Sequence, residues 1–223
     1  MLAAPPQRVA PGHCAKGNSM VAVPDPAPTP TPAQPSGRAW VARFPTSASV
    51  ADCAQPFRDN LNAFIAALVA AGASVNIAAT LRPPQRAYLM HWCWSIVKQK
   101  TDPHAIPPLD GVAISWAHVD ARGNFDPVAS VAAAEDMVEA YGMQALNVAP
   151  ALKSNHISGT AVDMAISWSG TLTINKRDGS AVRIDSLPRS GMNPELKTVG
   201  ASYGVIKFVG GASDMPHWSA DGH

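Results

Sequence analysis

Two short segments hold the residues best suited to chemistry. The first reads Ser154-Asn155-His156-Ile157-Ser158-Gly159-Thr160-Ala161-Val162-Asp163, and the second reads Ser213-Asp214-Met215-Pro216-His217-Trp218. Two histidines and one carboxylate make a common catalytic zinc set, in which three protein ligands leave the fourth position for water. Zinc lowers the pKa of that water, and a neighbouring carboxylate can take its proton. His156, Asp163 and His217 supply the ligand types. Asp214 precedes His217 by three residues, close enough to reach the water without being a ligand. Gly159 stands between His156 and Asp163. A turn at Ser158-Gly159 lets His156 approach from a loop while Asp163 points from a strand, and the small Gly159 and Ala161 permit close backbone approach to the site.

Other hydrolytic chemistries lack their residues. The chain has no HExxH zincin helix and no GxSxG nucleophile elbow. Its cysteines, Cys14, Cys53 and Cys93, form no CxxC pair, which argues against a cysteine-rich zinc site. Cys53 and Cys93 fall on separate expected helices, with two readings: a disulfide in an oxidising compartment, or two buried thiols.

The elements that must position these residues read as follows. Phe57, Leu61, Phe64, Ile65, Leu68 and Val69 have helical spacing within residues 52–71, and Gly72 supplies a stop. Residues 73–80 read as a strand, and Pro83-Pro84 opens a second helix over 85–100. A third helix is expected over 128–141. From Ser158 onward the periodicity changes, giving strands at 160–166, 171–174 and 181–184. Lys176-Arg177-Asp178-Gly179 carries hairpin-turn chemistry between the last two of these. A short helix at 194–203 and strands at 204–209 and 217–219 complete the pattern. Helices first and strands later imply an α+β fold with helices packed on a central antiparallel sheet. Residues 102–126, rich in proline and glycine and carrying Trp116, His118 and Asp120, read either as a lid or substrate groove or as a surface insertion.

Residues 1–38 differ from the rest. Val23 to Pro35 reads VPDPAPTPTPAQP, which favours extended polyproline II and cannot pack a core. It is expected to act as a linker behind a carrier or delivery partner, with the folded domain at 39–223. An apolar fraction of 47% and a charged fraction of 15% fit a globular domain. A net charge of +1 gives no footprint for nucleic acid. No apolar run reaches the length of a membrane span, and the N-terminal residues lack the apolar stretch of an ordinary signal peptide.

The pattern SxHxxGxAxD followed downstream by DxxHW resembles the D-Ala-D-Ala carboxypeptidase and L-alanyl-D-glutamate peptidase family of bacterial cell-wall enzymes and phage endolysins. That family belongs with the lysostaphin-type peptidases and the hedgehog signalling domain. The resemblance spans roughly residues 52–218. It implies a hedgehog/DD-peptidase-like fold, with His156, Asp163 and His217 as Zn2+ ligands and Asp214 as catalytic base, where many members have Glu. Thr80-Leu81-Arg82-Pro83-Pro84-Gln85-Arg86 resembles the family's arginine stretch, so Arg82 is expected to stabilise the oxyanion and Gln85 to join the substrate-binding set. Ser154 reads as a hydrogen bond to substrate or as a turn cap. Trp218 reads as a groove wall or as sheet packing.

The function so implied is zinc-dependent cleavage of peptidoglycan stem peptides, L-Ala-D-Glu type favoured. The expected setting is the bacterial periplasm or cell wall, reached by phage lysis or a secretion system. The alternatives are a D-Ala-D-Ala carboxypeptidase or dipeptidase, and a non-catalytic zinc module.

Overall fold

The computed structural model describes residues 32–223; most of the expected proline-rich linker, and Cys14, lie outside the described residues. In chain order the elements are β1 (Gln34–Pro35), α1 (Phe57–Ala70), β2 (Ser74–Ala79), α2 (Pro84–Trp94), β3 (Ile114–Ser115), α3 (Pro127–Ala140), β4 (Ala161–Ser167), β5 (Leu172–Asn175), β6 (Ala181–Ile184), α4 (Pro194–Ser202), β7 (Ile206–Lys207) and β8 (His217–Ser219). Four α-helices and mainly antiparallel strands agree with the α+β expectation among the described residues.

Local chemistry sets the boundaries. α1 begins at Phe57 rather than at the expected Asp52, because Pro56 in a helix begun at 52 would clash with the carbonyl four residues back. α2 and α3 both carry proline in the first turn. The carboxylate of Asp126 caps α3 by accepting from the Ala129 amide, and Asn193 caps α4 by accepting from Glu195 and Leu196. α2 is shorter than expected as an α-helix. Its last stretch, Ser95–Gln99, widens into a π-helical turn that ends at Lys100 in the left-handed region.

The central sheet has four strands in the order β2-β4-β8-β7, every pair antiparallel. Alternation along β4 divides its residues between two faces. Val162, Met164 and Ile166 face the core, where α1, α4 and the β5–β6 hairpin pack. Asp163 faces the other way. The register places Val162 opposite Trp218 and Asp163 opposite His217. One core pair and one polar pair therefore sit back to back across the same two strands.

A second apolar cluster joins Trp40, α2, α3 and the 112–116 segment. This gives residues 102–126 a structural role. Val112 and Trp116 are buried in that cluster, and the Trp116 indole N–H donates to the Tyr88 hydroxyl at 3.1 Å. Folding also takes in part of the expected linker. β1 pairs in parallel with β3, and Ser36 is buried with its hydroxyl 2.9 Å from His118 Nε2. Cys53 and Cys93 are free thiols, one in each cluster, so the disulfide reading does not hold. No helix among the described residues is long and apolar enough to cross a membrane.

Candidate metal centre

His156, Asp163 and His217 come from three places in the fold. Asp163 and His217 are cross-strand partners on β4 and β8, so their side chains rise side by side from one face of the sheet. His156 arrives from the loop before β4. The loop can turn there because Gly159 sits at φ +70°, and a Cβ at that position would stand 2.9 Å from the Ala54 amide nitrogen. The close approach that Gly159 permits is thus to Ala54, whose N–H donates to the Gly159 carbonyl at 2.8 Å.

The stretch just after β2 grips His156 twice. The Thr80 carbonyl lies 2.7 Å from His156 Nδ1, and the Arg82 amide donates to the His156 carbonyl at 3.0 Å. Thr80 is itself fully buried, with its hydroxyl donating to the carbonyls of Ser47 and Ser49. A register shift between Ile77 and Ala79 adds a bulge opposite the Asp163 end of β4, the kind of irregularity that re-aims side chains.

The protons on the two imidazoles follow from these partners. A carbonyl only accepts, so His156 Nδ1 carries a hydrogen and donates to Thr80. Likewise His217 Nε2 donates to the His223 carbonyl at 3.0 Å. Each ring then presents its other nitrogen, as a lone pair, to the centre. His156 Nε2, His217 Nδ1 and Asp163 Oδ1 lie 3.2 Å apart in each pairing. Three acceptors that close repel one another unless something positive lies among them. Ligand bonds of about 2.0–2.2 Å in a tetrahedron put donor atoms about 3.3 Å apart, so the spacing fits a small divalent cation. Both far ring nitrogens are fixed by backbone carbonyls, the arrangement that orients metal-binding histidines. These three residues form a group able to hold a metal ion.

Without a cation, a proton must serve. Burial works against ionisation of Asp163, but hydrogen bonds and charge from His156 and His217 outweigh it and hold the carboxyl well below the usual range. Burial likewise works against the charged form of His217. The Asp163 carboxylate, the His223 carbonyl and the charge on Asp214 outweigh it and raise the imidazole above its ordinary value.

The group opens into a cleft of about 650 Å³ whose walls include Arg82, Lys153, Ser154, Phe208, Asp214 and His223. Asp214 ends a short 3-10 turn, Gly211–Asp214, with its carboxylate 3.9 Å from His217 Nδ1 and nearly half exposed. Arg82 is half-buried; burial and the charge of Arg86 push its pKa down while Asp163 opposes them, and its guanidinium meets no hydrogen-bond partner among the described residues. Ser154 lines the cleft, yet its hydroxyl and carbonyl also close the turn, accepting from the Ile157 and Ser158 amides.

Two residues expected in the substrate-binding set stand elsewhere. Trp218 is fully buried against Phe64, with ring centroids 5.6 Å apart, because strand alternation turns it to the core face. Gln85 lies on the first turn of α2, away from the cleft walls, with its amide beside Gly111. Residues 102–126 contribute nothing to the cleft walls, and His118 is engaged with Ser36.

Sequence reading missed three supports. Thr80 is one, through its carbonyl. Asn155 is the second; its amide donates to Asp221 Oδ1 and the His223 carbonyl, each at 2.6 Å, and so holds the segment that positions His217. Lys207 is the third. Its ammonium is buried beneath the Asp214–His217 segment, and burial lowers its pKa to about 8, with Lys197 adding to this and the charges of Asp214 and Asp163 opposing it. Asn155 adjoins His156 in sequence and was visible there; the partners of the other two are tertiary and leave no local pattern. No family model, curated protein or solved structure matches the chain.

Proposed function

We propose that this protein is a zinc-dependent hydrolase of peptidoglycan stem peptides, acting at the bacterial cell wall. One observation carries the reading. Three ligand atoms meet at 3.2 Å with both imidazole protons turned away onto carbonyls, in an open cleft that also holds a carboxylate and an arginine. The donor set of two imidazoles and one carboxylate suits zinc and leaves an open position. A zinc ion bound there supplies a water of lowered pKa and polarises a peptide carbonyl.

The residues of the chain supply the rest. Asp214 accepts the proton of the attacking water as the oxygen bonds to the peptide carbon, then returns it to the amine as the C–N bond breaks. Arg82 turns its free donors toward the oxygen on which charge develops. The substrate class rests on the paired motifs, SxHxxGxAxD and DxxHW, that resemble the D-Ala-D-Ala carboxypeptidase and L-alanyl-D-glutamate peptidase family. The placement of Asp163 and His217 on adjacent antiparallel strands supports a hedgehog/DD-peptidase-like arrangement of the sheet. The L-Ala-D-Glu bond is the favoured target.

Digestion of purified peptidoglycan, with mass spectrometry of the products, tests this. The wild type is expected to release peptides whose masses name the bond. Asp214→Ala is expected to bind zinc and release at least about 100-fold less. Loss of only a terminal alanine would move the reading to a carboxypeptidase. A zinc-loaded wild type that releases nothing from several wall types would sink the catalytic reading.

A further inference from the structure

Lys207 stands on β7 and is only 5% exposed. Among the described residues its ammonium meets no carboxylate within ion-pair distance. It meets backbone instead. Nζ donates to the carbonyls of Met215 at 2.6 Å, His217 at 2.7 Å and Asp214 at 3.4 Å. It also lies 5.3 Å from the centroid of a Trp218 ring. A lysine ammonium has three donors, and here all three fall on the segment that leads from Asp214 to His217.

That segment needs such a tie. The 3-10 turn ends at Asp214 and β8 begins only at His217. Pro216 has no N–H with which to join a ladder. The carbonyls of Asp214 and Met215 have no backbone partner among the described residues. Burying an ammonium with no carboxylate in direct contact costs free energy, and a methionine would fill the same space without that cost. What the ammonium adds is one fixed path for four residues, with the Asp214 carboxylate at one end and the His217 imidazole at the other.

We propose that Lys207 is a positioning residue. By gathering the carbonyls of Asp214, Met215 and His217 onto one ammonium, it fixes where the Asp214 carboxylate stands over the His156–Asp163–His217 group. This rests on the reading of Asp214 as the base and of the three residues as metal ligands.

The test compares the wild type with Lys207→Met, each loaded with Co2+ in place of zinc for spectroscopy and with zinc for kinetics. The folded variant is expected to lose about 10- to 100-fold in kcat, with KM within about twofold, since a base displaced by about 1 Å acts on a substrate that binds as before. Its Co2+ visible absorption is expected to shift, because His217 lies at the end of the freed segment. A folded variant with wild-type kcat and an unchanged Co2+ spectrum would overturn the proposal. If Lys207→Met does not fold, Lys207→Gln takes its place: it is neutral, shorter and unable to span the three carbonyls, and the same two outcomes decide. Should the wild type bind Co2+ yet hydrolyse nothing, the catalytic reading fails. The spectrum then decides alone whether Lys207 sets the position of the segment.

Discussion

His156 and His217 each commit one ring nitrogen to a backbone carbonyl and aim the other at Asp163. On the proposed reading, the metal-free protein must hold a proton where the metal-loaded protein would hold a cation. Because His217 is raised, its contribution to stability is present below its unfolded pKa of about 6.5 and is lost as pH rises through its folded value. Because Asp163 is lowered, its contribution is present above about pH 3.9 and is lost as pH falls through its folded value. The metal-free protein is therefore expected to melt highest between about pH 4 and pH 6.5 and to weaken on the alkaline side. The zinc-loaded protein should not weaken there, so the gain in Tm on adding zinc grows with pH. Calorimetry at several pH values, with and without chelator, measures this; a gain that shrinks as pH rises would contradict it. Arg82 is judged by kinetics at the same scale. Arg82→Ala is expected to lower kcat about 100- to 1,000-fold while zinc stays bound. A change confined to KM would instead make it a substrate anchor.

The elements explain how residues distant in sequence meet. β4 and β8 put Asp163 and His217 opposite one another, and the stretch leaving β2 carries both the carbonyl that holds His156 and the amide of Arg82. Thr80 joins this exit to the Ser47–Ser49 carbonyls. Thr80→Val, close in size but without the hydroxyl, removes that tie and leaves the two carbonyls only the Thr80 and Asp52 amides. It is expected to cost about 0.5–1.5 kcal/mol of stability and to weaken zinc binding, read by competition with a chromogenic chelator. Gly159→Ala meets both a left-handed φ and the Ala54 backbone, and is expected to weaken zinc binding as well. Zinc affinity unchanged in both would mean that the loop before β4 does not set the position of His156.

Much at this scale was legible in the sequence. The apolar spacing of α1, the Asp-Gly turn between β5 and β6, and the bounds of β8 all appear in it, because each depends on local chemistry. The early start assigned to α1 placed its bound at residue 52, ahead of the first apolar residue, Phe57, and so across Pro56. Trp218 was ambiguous because its face is fixed only by pairing with Val162. The three residues of the candidate centre were legible as types and spacing. Their convergence to 3.2 Å was not, since it depends on a register that joins residues 54 apart.

At the scale of the whole fold, the cleft stands clear of the two apolar clusters among the described residues. One lies beneath the sheet, and the other links α2, α3 and residues 112–116. Leu61→Ala, at a fully buried position in the first cluster, is expected to cost about 2–5 kcal/mol and lower Tm by several degrees, while zinc affinity at 25 °C stays near wild type. Scanning calorimetry and the chelator assay check the two halves of that expectation. A large loss of zinc affinity would show that the site depends on the core more closely than the back-to-back arrangement of β4 and β8 suggests. Composition made two features of this scale readable, a globular domain and a proline-rich N-terminal segment. It could not show that Gln34–Pro35 pairs with β3, because so short a pairing has no sequence period.

The most direct measurement is to strip the protein of metal and titrate zinc back while following the release of amino groups from peptidoglycan. Hydrolysis is expected to be absent at the start, to rise in proportion to added zinc, and to level off at one equivalent. The His156→Ala and Asp163→Ala variants should neither bind that equivalent nor gain activity. Hydrolysis that is unaffected by stripping, or a full equivalent bound in the wild type with no hydrolysis, would contradict a zinc peptidase built on His156, Asp163 and His217.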